Sequence, residues 1–571
     1  MRKEAIFILC SLLMIGGCNY PSKKETADTI YYGGDILTME GKLPTYVEAV
    51  AIKRGKIIFT GSKNEAEQFQ NEKTEIRDLK GKTLIPGFID AHSHITMGAD
   101  ALNQANLNPA PVGNISSIAD IIEALKNLKE RLNAKDGEWL VGSGYDQDFL
   151  KEKRHPTSDD LDAAFPSNPV ILLHTSGHML VANSLALELA GIDANTENPV
   201  GGTIVRKADG SNEPNGLCQE MAAMAFMPFL SKPLPMNQEI RKMVQIQDYY
   251  ASCGITTAND GLSSSDKMKI LEATAKKKKF KIDVIALPMF SLANELVGTG
   301  RLKWGVYQNR LKYQGLKITV DGSPQGKTAF LTKAYLTPVP GCNHDCKGFA
   351  NLTQADVNQL FLNCYSNKVQ VFSHCNGDAA VDMMIQAHRY AEKKLGKKDK
   401  DRRTTIIHSQ IMRPDQMIQY KSEGLIPSFF TNHTYYWGDV HLANLGSDRA
   451  SYLSPMKAAF DSGIPCTNHT DYTVTPMDQF FLLWTSVNRI SRNGKIIGKN
   501  QRITPYQGLQ ALTIHAAYQY FEEDTKGSLK KGKLADLVVL DKNPLRVKAT
   551  AIKSIHVVET IKNGVSIYKR K

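Results

Sequence analysis

The sequence predicts an α/β protein: a (β/α)8 barrel of the TIM type carrying a small β-sandwich formed from both chain ends. Three observations support this. Apolar strands alternate with amphipathic stretches such as Ile118 to Leu132 and Met236 to Cys253 through the middle of the chain. Short β-branched runs separated only by turn signals fill the two ends. Several middle strands finish in an imidazole or a carboxylate, as expected where parallel strands share one catalytic mouth.

In chain order, Met1-Arg2-Lys3 is basic and Ala5 to Ile15 is apolar but too short to span a bilayer. Ile15-Gly16-Gly17-Cys18 then sets small residues before a cysteine. This resembles a bacterial lipoprotein signal over residues 1–17, with acylation expected at Cys18 and a polar tether over 18–27. The expected location is therefore the cell envelope of the exporting bacterium, lipid-anchored to a membrane; an ordinary secretory signal is the alternative.

Ile30-Tyr31-Tyr32, Val47 to Ile52 and Gly55-Lys56-Ile57-Ile58 read as hairpin strands, and Leu537 to Leu540, Ile555 to Val558 and Val565 to Tyr568 share that character. The expected discontinuous sandwich covers residues 28–83 and 500–571. The barrel then covers 84–499, with an insertion at about 111–235. The full 571 residues, 42% of them hydrophobic, can enclose a core of that size.

The run Leu84 to His94 reads as a buried strand ending in His92 and His94. Residues two apart on a strand share a face, so both rings can grip one metal. Val369 to Ser373 leads to His374, Thr404 to Ile407 leads to His408, and Gly463 to Thr470 leads to Asp471. Lys317 stands inside the β-branched run Leu316 to Val320, where its charge is costly unless it is paired or chemically altered.

These residues, in this order, resemble the amidohydrolase superfamily of metal-dependent barrels. Finer matches resemble the branch that includes N-substituted formamide deformylases: Gly144-Tyr145-Asp146-Gln147, Ser176-Gly177-His178 with Asn183-Ser184, Val320-Asp321-Gly322-Ser323, and Lys526 to Leu529 through Gly532 to Leu537. The resemblance runs from about Asp28 to the C-terminus. It departs at His469-Thr470-Asp471, where relatives carry Gly-Ser-Asp, and at His374-Cys375-Asn376-Gly377-Asp378, where many carry His-Ala-x-Gly-Asp.

The resemblance implies a metal-dependent hydrolase of a non-peptide C–N bond in an amide, N-acyl amine or N-formyl amine. His92, His94, Lys317, His374, His408 and Asp471 are the expected ligands of one or two ions. Zinc suits this donor set, although manganese, iron or nickel fits the same groups. It further implies carbamylation of Lys317, against the plainer alternative of an ion pair with Asp321 or Asp471. Asp471 is the expected proton carrier, and His408 or a second metal the group that polarises the carbonyl. The insertion is expected to cover the mouth, with Tyr145, Asp146, Ser176 and His178 as candidate substrate contacts. A deaminase or cyclic amidase on a heterocycle is the alternative enzyme, and a non-catalytic binding lipoprotein the alternative from another class.

His155, His174, His344, His388, His433, His441, His469, His515 and His556 are given no metal role; His469 stands nearest to one, two residues before Asp471. Among the nine cysteines, Cys342 and Cys346 are expected to form a local disulfide rather than a metal clip with His344. The formal charge of +12 is spread over solvated runs such as Lys276 to Lys279, with no basic stripe interleaved with aromatics, so nucleic acid is not an expected partner. Asp321 to Thr328 imitates a phosphate-binding loop but places Asp321 where glycine is required, and Pro324 removes a backbone donor. The expected partners are a small-molecule amide and, through Cys18, a membrane; a homodimer is left open.

Overall fold

The computed structural model describes residues 25–571 except 111, 231–233 and 340–341, so the signal and Cys18 lie outside the described residues. The two chain ends combine in one eight-stranded sheet. Its hydrogen-bonded path runs Val565–Lys569, Val557–Lys562, Leu537–Leu540, Thr83–Pro86, Thr29–Leu37, Tyr46–Lys53 and Lys56–Gly61, with Glu75–Asp78 pairing on Thr29–Leu37. Two tight turns fix its hairpins: Arg54-Gly55 and Asn563-Gly564 all have positive φ, which matches the twist of paired antiparallel strands.

The middle of the chain supplies short parallel strands in two groups, the arrangement of a TIM-barrel-like α/β fold. Phe88–Ile89, Ile255–Ser263, Asp283–Pro288 and Leu311–Tyr313 form one group. Gly315–Thr319, Gln370–Cys375, Thr405–His408, Ile426–Phe429 and Thr467–Asn468 form the other. Between them the chain makes a parallel bridge from Met289 to Lys317, and the backbone N–H of Asp471 donates to His92 O at 3.2 Å. Ile89, Ile285, Phe372 and Ile407 are enclosed with Tyr520, whose hydroxyl donates to Ala91 O at 2.7 Å and so holds the loop that carries the first histidines.

One expected strand is divided. Thr83–Pro86 belongs to the terminal sheet and Phe88–Ile89 to the barrel strands, with Gly87 between them. A Cβ on Gly87 would come within 2.4 Å of the Thr256 side chain. His92 and His94 therefore follow the strand instead of ending it, and a turn brings their rings together, not strand periodicity. The segment before Asp471 is likewise mostly irregular, with only Thr467–Asn468 paired as strand.

A third sheet of six strands, from Ala105–Asn106 to Pro214–Glu220, lies largely in the expected insertion. A buried ionic network joins barrel and terminal sheet. Asp283 accepts from Lys526 at 2.7 Å and from Lys562 at 2.6 Å, Lys562 also reaches Asp536 at 2.7 Å, and Lys526 reaches Glu522 at 2.9 Å. The motif from Lys526 to Asp536 thus serves the junction between the two parts. Cys342 and Cys346 form the expected disulfide. No helix among the described residues is long and apolar enough to cross a membrane.

Candidate metal centre

Six predicted ligands converge. The Lys317 Nζ lies 3.0 Å from His92 Nε2, and His408 Nε2 lies 3.0 Å from His374 Nδ1. Asp471 Oδ1 is 3.2 Å from His94 Nε2 and 3.4 Å from His92 Nε2, while its Oδ2 is 3.9 Å from His408 Nε2. Ligand atoms of His92, His408 and Asp471 all lie within 4.8 Å of one another. All six side chains except His94 are buried.

Local structure fixes each donor. The His92 Nδ1 contacts Asn259 Oδ1 at 3.3 Å, and Asn259 Nδ2 donates to Ile285 O at 3.0 Å. With its amide so oriented, Asn259 accepts the Nδ1 proton, which leaves the Nε2 lone pair directed at the centre. Gly261 makes room for this ring, since a Cβ there would lie 2.1 Å from His92 Cε1. His94 begins the helix Ile95–Ala101 and donates its backbone N–H to Tyr472 O at 2.7 Å. His374 stands within Gln370–Cys375 and His408 ends Thr405–His408. His408 and Asp471 both hold positive φ, 75° and 52°, a conformation that costs free energy and gathers at functional sites.

The charge states suit cation binding. Burial holds the His92 and His408 rings well below the ordinary imidazole range, reinforced by Lys317 for the first and His374 for the second. Burial does the same for His374, together with the charges of His178 and Lys317. Burial opposes ionisation of Asp471, yet His408, His94 and His92 hold its carboxyl well below the usual range. Burial also pushes Lys317 down to about 7, only partly offset by the Asp471 carboxylate. Neutral imidazoles, one anion and a lysine that can lose its proton are the donors a borderline divalent cation accepts. The residues fit a metal.

The candidate contacts divide. Ser176 and His178 line a cavity over the centre with Ser323, Gln325, Asn376, Phe430, His433 and Val474. Tyr145 and Asp146 do not line it: Tyr145 bonds His155 Nδ1 at 3.0 Å, and Asp146 Oδ2 accepts from Trp437 Nε1 at 2.6 Å. His178 Nδ1 lies 2.9 Å from Glu220 Oε2. Burial disfavours charge on His178, but Glu220, together with Asp321 and Asp471, outweighs this and raises its pKa. His469 is packed edge-on between His92 and His408, ring centroids 5.1 Å from each.

Sequence reasoning missed Asn259, Glu220, Gln325, Asn376 and His433. Only Asn259 left a signal, since the run Gly254 to Asp260 ends in two polar groups. Of the segment Asp321 to Thr328, read as a failed phosphate cradle, Ser323, Pro324 and Gln325 line the cavity. The Thr328 hydroxyl accepts from Ser323 N at 2.9 Å.

Fold and centre together define a metal-dependent hydrolase acting on a C–N bond. The model of the amidohydrolase family matches residues 75–568, and the chain belongs to that family. It is 24% identical over 96% of its length to an N-substituted formamide deformylase from Arthrobacter pascens, covering 99% of that protein. It is 29% identical over 92% of its length to the protein LONG AFTER FAR-RED 3 of Arabidopsis thaliana, covering 88% of it. In fold it resembles an uncharacterized metal-dependent hydrolase from Pyrococcus horikoshii, with a TM-score of 0.71 at 23% identity, over 91% of this chain and 99% of that one.

Proposed function

We propose that the enzyme hydrolyses an N-acyl or N-formyl amine to a carboxylate and a free amine, with zinc in the centre and Lys317 as its carbamate. The convergence of His92, His94, Lys317, His374, His408 and Asp471 on one point carries the reading. The full-length similarity to a deformylase supports the acyl-amine substrate. When bound, the metal lowers the pKa of water to about 7 and polarises the carbonyl.

The chain's own residues do the rest. Asp471, ionised and beside three imidazoles, accepts the proton of the attacking water and returns it to the leaving nitrogen. His178, which lines the cavity with its Nδ1 engaged by Glu220, donates from its other nitrogen to the carbonyl oxygen as charge develops there. Ser176 contacts substrate. Tyr145 and Asp146 support the wall behind it through His155 and Trp437. Lys317, driven toward its neutral form by burial, is a competent nucleophile for carbon dioxide; with loss of one proton from nitrogen its carbamate would supply an anionic oxygen donor to the metal.

In this reading the parallel strands close as a barrel over 84–499, the sheet of both termini folds as a sandwich over 28–83 and 500–571, and the insertion at about 111–235 roofs the mouth. Cys18 carries a lipid that holds the enzyme at a membrane of the cell envelope. Screening N-formyl and N-acyl amines for carboxylate release tests the function. Formate or acid release with the amine supports it; ammonia release from heterocycles without any acid product would replace it with the deaminase alternative.

A further inference from the structure

The sequence gives no reason to single out His388, yet the structure buries it with two carboxylates away from the catalytic mouth. His388 and Glu392 lie one turn apart on the helix Asp378–Leu395, and Glu423 is the last residue of the neighbouring helix Pro414–Glu423. One ligand atom from each lies within 4.8 Å of the other two, and His388 Nε2 is 3.6 Å from Glu392 Oε2. His388 is 1% exposed, and its Nε2 has no hydrogen-bond partner.

The outward-facing atom of each group is already held. His388 Nδ1 contacts the Tyr365 hydroxyl at 2.7 Å, and that hydroxyl also contacts Thr404 Oγ1 at 2.7 Å. Glu392 Oε1 accepts from the backbone N–H of Asp399 at 2.9 Å and lies 3.6 Å from Arg402 Nε. Glu423 Oε1 accepts from Arg389 Nε at 2.9 Å, with Lys398 Nζ 3.8 Å from Oε2. Arg389 and Lys398 are 48% and 78% exposed, so water screens much of their charge. Inside, beside the Arg402 guanidinium that shares Glu392 Oε1, the imidazole nitrogen faces two carboxylates, of which Glu423 stands at the negative end of its helix, a setting that attracts a cation.

We infer that His388, Glu392 and Glu423 form a second, structural site for zinc or a similar borderline divalent cation, which pins the two helices together. Imidazole and carboxylate are donors such an ion accepts, with water completing the tetrahedron that three side chains leave open, and bonds of about 2.0–2.2 Å place neighbouring ligand atoms roughly 3.4 Å apart. The observed 3.6 Å between His388 and Glu392 needs little adjustment, and Glu423, whose ligand atom lies within 4.8 Å of both, closes the triangle by a side-chain shift. Fixing the distal atom of each ligand is how outer groups orient a metal site.

Metal content of the full chain, exchanged into metal-free buffer after zinc loading, tests this against His388→Gln and Glu423→Gln. The wild type should retain one equivalent more than either variant, and zinc should raise its Tm by more than it raises theirs. Turnover should stay within about twofold of wild type in both. The same comparison in a His92→Ala background isolates the site from the catalytic centre, so the extra equivalent should persist there. Equal metal content and equal zinc response in wild type and variants would overturn the inference, as would loss of the extra equivalent with His92→Ala alone. Should glutamine at 388 prevent folding, Glu423→Gln at the helix end carries the same comparison.

Discussion

The Nζ of Lys317 lies 3.0 Å from Nε2 of His92, joining the middle of one buried strand to the turn after another. An amine and an imidazole at that distance in the interior share one proton or one cation. Lys317→Ala should remove a ligand and lower kcat/KM by more than about 100-fold, beyond the 10–100-fold typical of outer-shell losses. Native mass spectrometry under non-acidic conditions should show one added carbon dioxide on the wild type and none on the variant. An unmodified Lys317 in fully active protein would remove the carbamate from the mechanism.

Asn259 should matter although it touches no substrate. It sets the His92 ring through the 3.3 Å contact to Nδ1 and is itself fixed by the Ile285 carbonyl. Asn259→Ala should weaken metal binding about 10–100-fold, read by competition with a chelating dye. Turnover at saturating metal should largely recover, which separates a positioning residue from a catalytic one. Unchanged metal affinity would show that the ring is held by packing alone.

Asp471→Asn keeps the shape of the side chain but removes its basicity. Turnover should fall by about 10²–10⁴-fold, the usual worth of a positioned general base, while some bound metal is kept by the four histidines and Lys317. Steady-state rates beside metal content check this. Near wild-type rates would take the proton-carrying role from Asp471.

The junction between barrel and terminal sheet should be sensitive to acid. Burial opposes ionisation of Asp283, but Lys526 and Lys562 depress its folded pKa far below the ordinary carboxylate value. Its contribution is therefore present above the unfolded pKa of about 3.9 and is lost as pH falls below that toward the folded value. Asp283→Asn leaves Lys526 with Glu522 and Lys562 with Asp536 as their remaining carboxylate partners, and should cost toward the lower end of the roughly 3–5 kcal/mol typical of a broken buried pair at pH 7. The Tm gap between variant and wild type should narrow below about pH 4, and a gap independent of pH would point to packing instead of charge.

The chemistry was more legible in the sequence than the geometry that delivers it. That His374, His408 and Asp471 meet at one place could be read from the apolar runs that lead to them, because a charged or imidazole side chain closing such a run needs a reason to be buried. The path of the chain through Leu84 to His94 was not legible. The run is apolar throughout, and only tertiary structure shows that Gly87 passes it from one sheet to another. Tyr145 and Asp146 stand in a motif with Ser176 and His178 but fall one layer behind the cavity, since motif order carries no depth. Asn376 and Gln325 stood in segments the sequence marked for other reasons, and nothing assigned them to the cavity, because a polar residue in a loop reads as solvated until the fold encloses it.

The most direct test removes the metal and returns it. A soluble form beginning after Cys18 should lose hydrolysis of its best N-acyl or N-formyl amine when chelation strips the centre, and recover it on adding zinc or another divalent ion. The His92→Ala variant should show neither the activity nor the recovery. Undiminished turnover by protein with no measurable metal would contradict a centre built from His92, His94, Lys317, His374, His408 and Asp471.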